Sequence, residues 1–461
     1  MNRQATIPKL LAQKQKQPAG REMLLTAPIL PTLLKLSAPT TVAMLAIALV
    51  AIAETAYVGV LGVEALAAMA LTFPMIMLMQ MVSAGAMGGG VSSAIARAVG
   101  AGDLARANTL ALHAIIIAVV AAAIFSAFFW LLGPAIYRLL GGQGRALDLA
   151  ILYSHTVFSG ALCIWLFNTL SSVLRGTGNM NAPSVVALVA AALQIVIGGV
   201  LGLGFGPVPS FGVVGIGLGQ VIAFGLGSIY LFIHLCRPDA RLRLRLAGFH
   251  MDRTMFADIL RVGGLASLSS LQTVLTVLIF TGLVARFGTI ALAGYGIGAR
   301  LEFLLVPIAF SVGVASVPMV GMAVGAKNIL RARKVAWTAG SVAAAGLGIV
   351  GLVVVVAPDL WSRLFTSDDA VIAAARQYLT AAGFGFPFFG FGLCLYFASQ
   401  GAGKVLGPVL GGTIRLVIVA VGGWWLATNA APVWTLFALA GGAMIVYGIA
   451  TGLLVKATRW D

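Results

Sequence analysis

The sequence predicts an all-α integral membrane protein with twelve transmembrane helices arranged as two parallel six-helix repeats. Three observations predict this fold class: an extreme apolar composition, twelve long apolar segments, and an internal repeat. Of the 461 residues, 60% are hydrophobic and only 9% are charged, whereas soluble domains are about 25% charged. At about 23 residues for each span, the apolar residues suffice for roughly twelve spans. The composition therefore excludes a soluble globular protein.

Stretches of about 18 or more mostly apolar residues mark the candidate transmembrane helices. An even number of spans places both termini on the same side of the membrane, so every second loop lies on that side too. The twelve stretches lie at 36–61, 65–94, 109–132, 148–173, 184–204, 212–235, 258–285, 290–322, 336–357, 372–399, 405–427 and 432–455.

The two halves of the chain share sequence blocks at a nearly constant offset of 225 or 226 residues. Several independent blocks with almost one offset indicate two homologous halves. Because each half has an even number of spans, both run in the same direction, and their symmetry axis should lie along the membrane normal. The matched blocks are AVGAGDLARAN at 98–108 with AVGAKNILRAR at 323–333, RGTGNMNAP at 175–183 with QGAGKVLGP at 400–408, and ALA at 65–67 with ALA at 291–293.

These boundaries divide the chain into two lobes and three polar segments. The basic N-terminal segment covers 1–35, the first lobe 36–235 with spans one to six, and the basic linker 236–257. The second lobe covers 258–455 with spans seven to twelve, and the C-terminal tail is 456–461. We expect one such chain to form a central cavity between its lobes, so a monomer should suffice for function.

The charge of the loops predicts the orientation. Of the lysines and arginines, 22 lie on the side of the termini and six on the other side, while Arg415 lies inside a span. This asymmetry predicts cytoplasmic N and C termini in a bacterial-type inner membrane. The net charge of +16 is then chiefly a topological signal, with attraction to anionic lipid headgroups as a second effect. Without an aromatic and basic recognition patch, nucleic acid is not a predicted partner.

The residues that carry chemistry in enzymes are scarce. The three cysteines have no CxxC spacing and the four histidines have no HxxxH spacing, so no metal site is predicted. The chain has 13 acidic residues, too few inside the spans for a convergent catalytic cluster. We therefore expect no catalytic residues and no cofactor. Two facing bundles instead favour a secondary transporter, with a membrane-embedded enzyme, a receptor or a scaffold as the alternatives outside transport.

Ionisable side chains inside the spans are the first functional candidates, because each costs at least about 2.5–3.5 kcal/mol in the bilayer. Glu54 in the first span is predicted to bind the coupling ion, on a path open to the outside; the alternative is a buried, neutralised carboxylate. Arg300 and Glu302 in the eighth span are two residues apart and cannot face each other on a helix. They serve either substrate or ion coupling, or structural ion pairs with other helices. Arg415 is expected to be a structural partner.

Neutral polar residues and prolines inside the spans supply the remaining candidates. Polar side chains on facing spans can line the central cavity, although each more often makes a modest interhelical hydrogen bond. Prolines inside spans can act as kinks or hinges. The cavity-lining candidates are Gln194, Asn168, Ser171, Gln272 and Arg300, and the hinge candidates are Pro39 and Pro387.

Together these motifs resemble the multidrug and toxic compound extrusion (MATE) family. The resemblance runs from about Leu33 to Val455 and includes the two repeated loop pairs above. GIGARLEFLLVPIAF in the eighth span is similar to the bacterial DinF-like branch of that family. Further matching motifs are LSAP and AETAYVGVLG in span one, ALAA after it, LRGTGNMNAP, and LFTSDDAVIAAARQYL.

The resemblance implies a V-shaped pair of lobes that exports organic, often cationic, compounds against H⁺ or Na⁺. Members commonly carry a coupling Asp in the first span, which matches Glu54 here. The fifth-span Asn and Asp of many members match Gln194 and Gly198, and the seventh-span Glu of another branch falls where this chain offers only Gln272 and serines. These departures favour H⁺ over Na⁺, with Glu302 assisting. A lipid-precursor flippase is the alternative transporter, but its extra spans and strongly basic cavity are missing.

Overall fold

The computed structural model describes residues 19–238, 240–245, 249–429 and 431–460. Eleven helices are long and apolar enough to cross a membrane, and a bent pair supplies the twelfth. The prediction of a twelve-span helical membrane protein is therefore confirmed. Residues 1–18 of the predicted basic N-terminal segment, positions 239 and 246–248 of the predicted linker, and the last residue lie outside the described ranges.

Most of the membrane helices extend beyond the apolar stretches that predicted them, because they continue into flanking polar residues. They are α1 (Ala19–Thr26), α2 (Ile29–Leu61), α3 (Val63–Gln80), a π-helical segment (Met81–Met87), α4 (Gly88–Ala101), α5 (Leu104–Leu139), α6 (Gly144–Ser159), α7 (Ala161–Gly176), α8 (Asn181–Leu203), α9 (Val213–Cys236), α10 (Arg253–Ala285), α11 (Thr289–Gly325), α12 (Ile329–Val356), α13 (Asp359–Ser362), α14 (Asp369–Ala402), α15 (Leu406–Val417), a second π-helical segment (Ile418–Gly422), α16 (Gly423–Thr428) and α17 (Val433–Ala457).

Helix boundaries repeat between the two halves at the offset that the sequence predicts. Asp103 caps α5 by accepting a hydrogen bond from the Arg106 amide, and Asn328 caps α12 by accepting one from the Arg331 amide. The next matched pair is Gly102 and Lys327, both with positive φ, at 83° and 59°. Because an Asx cap after a left-handed residue recurs 225 positions later, the two halves share local structure as well as sequence.

The two halves meet where α4 packs against α11. A Cβ atom on Gly100 would overlap the Met322 carbonyl group, and one on Gly325 would overlap the Arg97 carbonyl group. Gly325 and Met322 lie 225 positions after Gly100 and Arg97, so the two contacts are related by the repeat. The helices therefore cross at glycines around a pseudo-twofold axis.

Basic residues gather at this junction, and we term it the basic end of the bundle; it is defined by Arg21, Arg97, Arg106, Arg245 and Arg331. The side chains of Arg21, Arg97, Arg106 and Arg331 each donate a hydrogen bond to one of the halves or to the N-terminal helix. Arg245 donates through its backbone amide to Asn108 Oδ1. Among the described residues, the ion pairs that join the two halves lie at this end of the bundle.

The short N-terminal helix α1 covers part of the basic end, which the sequence did not predict. Arg21 donates to the Gly100 carbonyl at 2.8 Å. Arg331, from the other half, donates to the α1 carbonyl of Leu24 at 3.0 Å and to the Ala27 carbonyl at 2.6 Å. Leu24 is fully buried. Helix α1 therefore connects the halves through main-chain carbonyls and one apolar anchor.

Two irregularities interrupt the membrane helices. Helices α6 and α7 bend by 47° at Gly160, where a side chain would overlap Val221 of α9. The segment Met81–Met87 has π-helical geometry inside the second span. Such single-turn insertions arise where side-chain contacts outweigh regular helix geometry, and they recur at functional sites.

Candidate functional site

The first polar site joins α2 and α8 in the first half. Gln194 Nε2 donates a hydrogen bond of 2.7 Å to Glu54 Oε1, and both side chains are buried. The approach of α8 to α9 positions Gln194, because Gly219 lies directly on the Gly198 backbone with no room for a Cβ atom. The structure thus brings together two of the predicted site residues. Among the described residues, no ion pair involves Glu54.

A tyrosine borders this carboxylate. Tyr153 in α6 is buried and close enough to Glu54 to interact electrostatically. The repeat relates it to Tyr378 in α14, 225 positions later, whose hydroxyl donates to Glu302 Oε1. In each half, a carboxylate inside a membrane helix therefore lies near an equivalent tyrosine; Glu54 is buried and Glu302 is half-buried. The carboxylates themselves lie on non-equivalent helices, which is why the repeat alone could not reveal this arrangement.

Asn168 lies against the first π-helical segment, and neither Asn168 nor Ser171 lines the cavity of the second half described below. Asn168 Nδ2 donates to Ser83 Oγ at 2.8 Å and to Gln80 Oε1 at 3.2 Å. Ser171 is fully buried, and its Oγ has no partner among the described residues. Both residues were expected to line the central cavity. They do not, because this part of α7 packs against the irregular turn of the second span. The glycines of MVSAGAMGGG were the sequence signal for that turn.

A cavity of about 220 Å³ lies mainly within the second half. Two predicted site residues, Glu302 and Gln272, line it. Arg415, for which a structural role was expected, lines it as well. Met77 and Met81 close it from the first half. Its other lining residues are Gly85, Ser269, Ser270, Thr273, Thr276, Val277, Tyr295, Ala299, Phe303, Val306, Phe310, Phe389, Leu393, Tyr396, Phe397, Pro408, Gly412 and Tyr447.

The polar groups of this cavity differ in how well they are paired. Gln272 Nε2 donates to Thr413 Oγ1 at 2.8 Å, whereas Gln272 Oε1 has no partner among the described residues. The Arg415 guanidinium lies 5.1 Å from the centre of the Phe389 ring, and its Nε is also without a partner there. The cavity wall thus offers hydrogen-bonding groups that the described protein atoms leave open.

Arg300 lies outside this cavity, contrary to the expectation that it lines it. Its side chain is exposed, and its guanidinium lies 5.1 Å from the centre of the Phe365 ring, in the connection before α14. The physical reason is the spacing: residues two apart on a helix point in different directions, so Glu302 enters the cavity and Arg300 leaves it. No ion pair of Arg300 or Glu302 occurs in the described part of the chain.

Both hinge candidates lie inside uninterrupted helices. Pro39 is in α2 and Pro387 is in α14, and neither helix breaks at its proline. The hinge role stays a prediction, since it concerns a change between two conformations.

An ion-pair network joins the two halves at the basic end, and no motif of the sequence indicates it. Asp258 of α10 accepts hydrogen bonds from Arg97 Nη2 and, at 3.0 Å, from Arg106 Nη2. Ser93 of α4 donates to the Gln400 carbonyl of α14. Both contacts join the first half to the second. The sequence placed these charges on the same side of the membrane but could not show that one carboxylate lies between two arginines of the other half.

The end of the linker also contacts the first half. His113 of α5 accepts a hydrogen bond of 3.0 Å at Nε2 from the Asp252 amide. Asp252 caps α10, and hydrogen bonds from the Thr254 amide and hydroxyl lower the pKa of its carboxyl group. The cap is therefore ionised at neutral pH, which stabilises the helix that carries Asp258.

Comparison with known proteins gives one family match. The model of the family described as MatE matches residues 39–200 and 266–425. The FAD transporter of Shewanella oneidensis is 27% identical over 319 residues, which are 68% of this chain and 69% of that protein. The probable multidrug resistance protein NorM of Thermotoga maritima is 25% identical over 383 residues, 82% of this chain and 81% of that protein.

Solved structures show the same fold. A MOP superfamily transporter from Pyrococcus furiosus superposes with a TM-score of 0.87 at 24% identity, covering 95% of this chain and 97% of that one. A multidrug resistance MATE family transporter in an outward-facing conformation gives a TM-score of 0.85 at 24% identity, covering 95% and 98%. At this identity the likeness concerns the fold alone.

Proposed function

The chain belongs to the MatE family, the multidrug and toxic compound extrusion transporters, and from this premise we propose that it is a secondary active antiporter. It exports amphipathic organic compounds, cations among them, against an inward gradient of H⁺ or Na⁺. The names of its relatives, which range from multidrug export proteins to a FAD transporter, support organic substrates of varied chemistry.

The observation that carries this proposal is the buried pair of Glu54 and Gln194. A carboxylate in an apolar helix is costly unless it is neutralised, and Gln194 offers a hydrogen bond of 2.7 Å but no charge. A bound cation or proton supplies the neutralisation. We favour H⁺, because a hard metal ion prefers several oxygen ligands and Gln194 presents its nitrogen to Glu54.

The orientation follows from the positive-inside rule. The basic end then faces the cytoplasm, and Glu54, seven residues before the end of α2 at Leu61, lies toward the outside. With the basic end closed, an ion enters from outside, and export requires the basic end to open. Ion and substrate must favour different states, since a ligand with equal affinity for both shifts neither. The two halves would supply the two moving bodies.

The test is transport by the purified protein in liposomes. A fluorescent organic cation is loaded, and its movement is followed under an imposed pH gradient or an imposed Na⁺ gradient. We expect movement driven by the pH gradient at least tenfold faster than without any gradient. Movement driven only by Na⁺ would replace H⁺ as the coupling ion, and movement under neither gradient would contradict secondary antiport.

Closure of the basic end should depend on Asp258. Asp258→Asn removes the charge that two arginines share, which costs about 1–2 kcal/mol in the closed state and shifts the ratio of closed to open forms by roughly 5–30-fold. Ala105 and Leu330 are equivalent exposed positions of the two halves. Each is replaced by cysteine in a variant that lacks the native cysteines, and spin labels are attached to the two new thiols. The expected result is a larger population of long distances.

The matched control is Asp369→Asn, which changes an exposed acidic residue at the start of α14. It alters the net charge equally but touches no residue of the other half among the ion pairs above. An equal change in both variants would show that net charge, and not the Asp258 contact, sets the distance distribution.

A further inference from the structure

The cavity of the second half combines one arginine with several aromatic side chains and two methionines. Resting on the transport function proposed above, we propose that it binds aromatic oxyanions. The Arg415 guanidinium holds the carboxylate or phosphate oxygens, and the surrounding rings hold the aromatic part.

The apolar walls favour a flat, unsaturated ligand. Rings project from three helices that surround the space, α11, α14 and α17, and Met77 and Met81 face them from the first half. Aromatic side chains stack on aromatic ligands, and methionines adapt to varied shapes. The cavity volume of about 220 Å³ admits a bicyclic ring with one small substituent.

Among the described residues, the unpaired polar atoms of the cavity include one cationic donor, Arg415 Nε, and one neutral acceptor, Gln272 Oε1. Glu302 Oε1 already accepts a hydrogen bond from Tyr378, and Tyr378 lies outside the lining, so this oxygen is turned into the wall. Arg415 has the Phe389 ring as its contact and an Nε that is buried without a partner among the described residues. A cationic ligand would meet a carboxylate with one oxygen already hydrogen-bonded, whereas an anionic ligand would meet a cationic donor, Arg415 Nε, that has no partner among the described residues.

Guanidinium chemistry fits this ligand better than a purely structural role. Arg415 is half-buried, and its buried Nε has no hydrogen-bond partner among the described residues. An unpaired charged donor in an apolar setting is costly, and bidentate bonding to a carboxylate or phosphate reduces that cost. Ser269 Oγ is a second buried group without a partner in the described part of the chain, and its hydroxyl can donate to the same oxyanion. The net charge of Arg415 and Glu302 is zero when both are ionised, so a bound oxyanion is stabilised by its direct contact with Arg415 and not by a general positive field.

The test compares three probes with the same ring: 2-naphthoate, 2-naphthamide and 2-naphthylmethylammonium. Binding to the purified full-length protein in nanodiscs is measured by calorimetry. We expect 2-naphthoate to bind at least tenfold more tightly than 2-naphthamide, because only the carboxylate makes charge-assisted hydrogen bonds. Arg415→Gln should abolish this preference, and Arg415→Lys should retain part of it.

The outcomes separate this proposal from the transport function. Equal binding of naphthoate and naphthamide by the unaltered protein overturns the oxyanion site, and so does a preference that survives Arg415→Gln. Tighter binding of the ammonium probe than of naphthoate also overturns it. Organic-cation export is measured on the same preparation: if export persists while the oxyanion preference is missing, only the present inference fails. Size-exclusion profiles and binding of the neutral amide report whether the Arg415 variants are folded.

Discussion

Glu54→Gln is expected to abolish ion-driven efflux while leaving the protein folded. The substitution keeps the shape of the side chain and its hydrogen bond with Gln194 but removes the group that gains and loses a proton. Replacing a buried carboxylate by an amide also removes its desolvation cost, so the unfolding temperature should not fall. In liposomes with a pH gradient, the rate of efflux should drop about a hundredfold or more.

Two comparisons make this result specific. Glu54→Asp retains a carboxylate and should retain measurable transport. Glu64→Gln makes the same chemical change at an exposed residue whose partner is Arg145, 3.3 Å away, and should leave transport unchanged. Exchange of substrate without a gradient should survive in Glu54→Gln, because it needs no proton step. Full gradient-driven efflux by Glu54→Gln would refute the coupling role of Glu54.

Gly325→Ala is expected to prevent the basic end from closing. A Cβ atom there would overlap the Arg97 carbonyl oxygen, and the neighbouring contacts are backbone atoms that cannot rotate away. Overpacking of this kind costs about 1–3 kcal/mol. We expect it to destabilise only the closed state, in which the two helices touch at this glycine. We expect transport to fall at least tenfold and the distance between labels at Ala105 and Leu330 to lengthen.

The same helix offers the control. Gly296→Ala adds the same methyl group to α11, where a Cβ atom meets nothing within 4 Å, and should leave transport and distances unchanged. Gly100→Ala, the repeat-related change, should reproduce the Gly325→Ala result. If Gly325→Ala transports at the normal rate with an unchanged distance distribution, the glycine crossing does not govern closure.

The sequence predicted the helices and the repeat because both depend on local pattern. The length of each apolar stretch is set by the thickness of the bilayer, and the matched loop blocks result from duplication of the chain. Neither depends on how the helices pack against each other. The irregular features depend on contacts between distant helices. The bend at Gly160 follows from Val221 of another helix, and the π-helical turn lies against Asn168.

The site was predictable to the extent that burial alone selects residues. Glu54 and Gln194 were singled out because a polar group in an apolar span needs a partner, and the structure pairs them. Arg300 and Glu302 were equally conspicuous in the sequence, yet the helix turns one outward and the other into the cavity. Arg415 was expected to be structural, since its spacing gives no sign that a cavity lies beside it. Asp258 was not predicted, because it lies close to the end of a span, where charged residues are common and do not indicate a functional site.

The repeat-related contacts at Gly100 and Gly325 are those of an isologous interface, in which one surface meets a copy of itself. A homodimer of six-helix subunits would have the same crossing, but every substitution in it would occur twice. Joining the halves in one chain removes that restriction. At the repeat offset of 226 residues, the position equivalent to Glu54 is Phe280. At the offset of 225 residues, the position equivalent to Arg415 is Ala190. Each half can therefore acquire a charge that its counterpart lacks, while the shared crossing keeps the geometry of a symmetric pair.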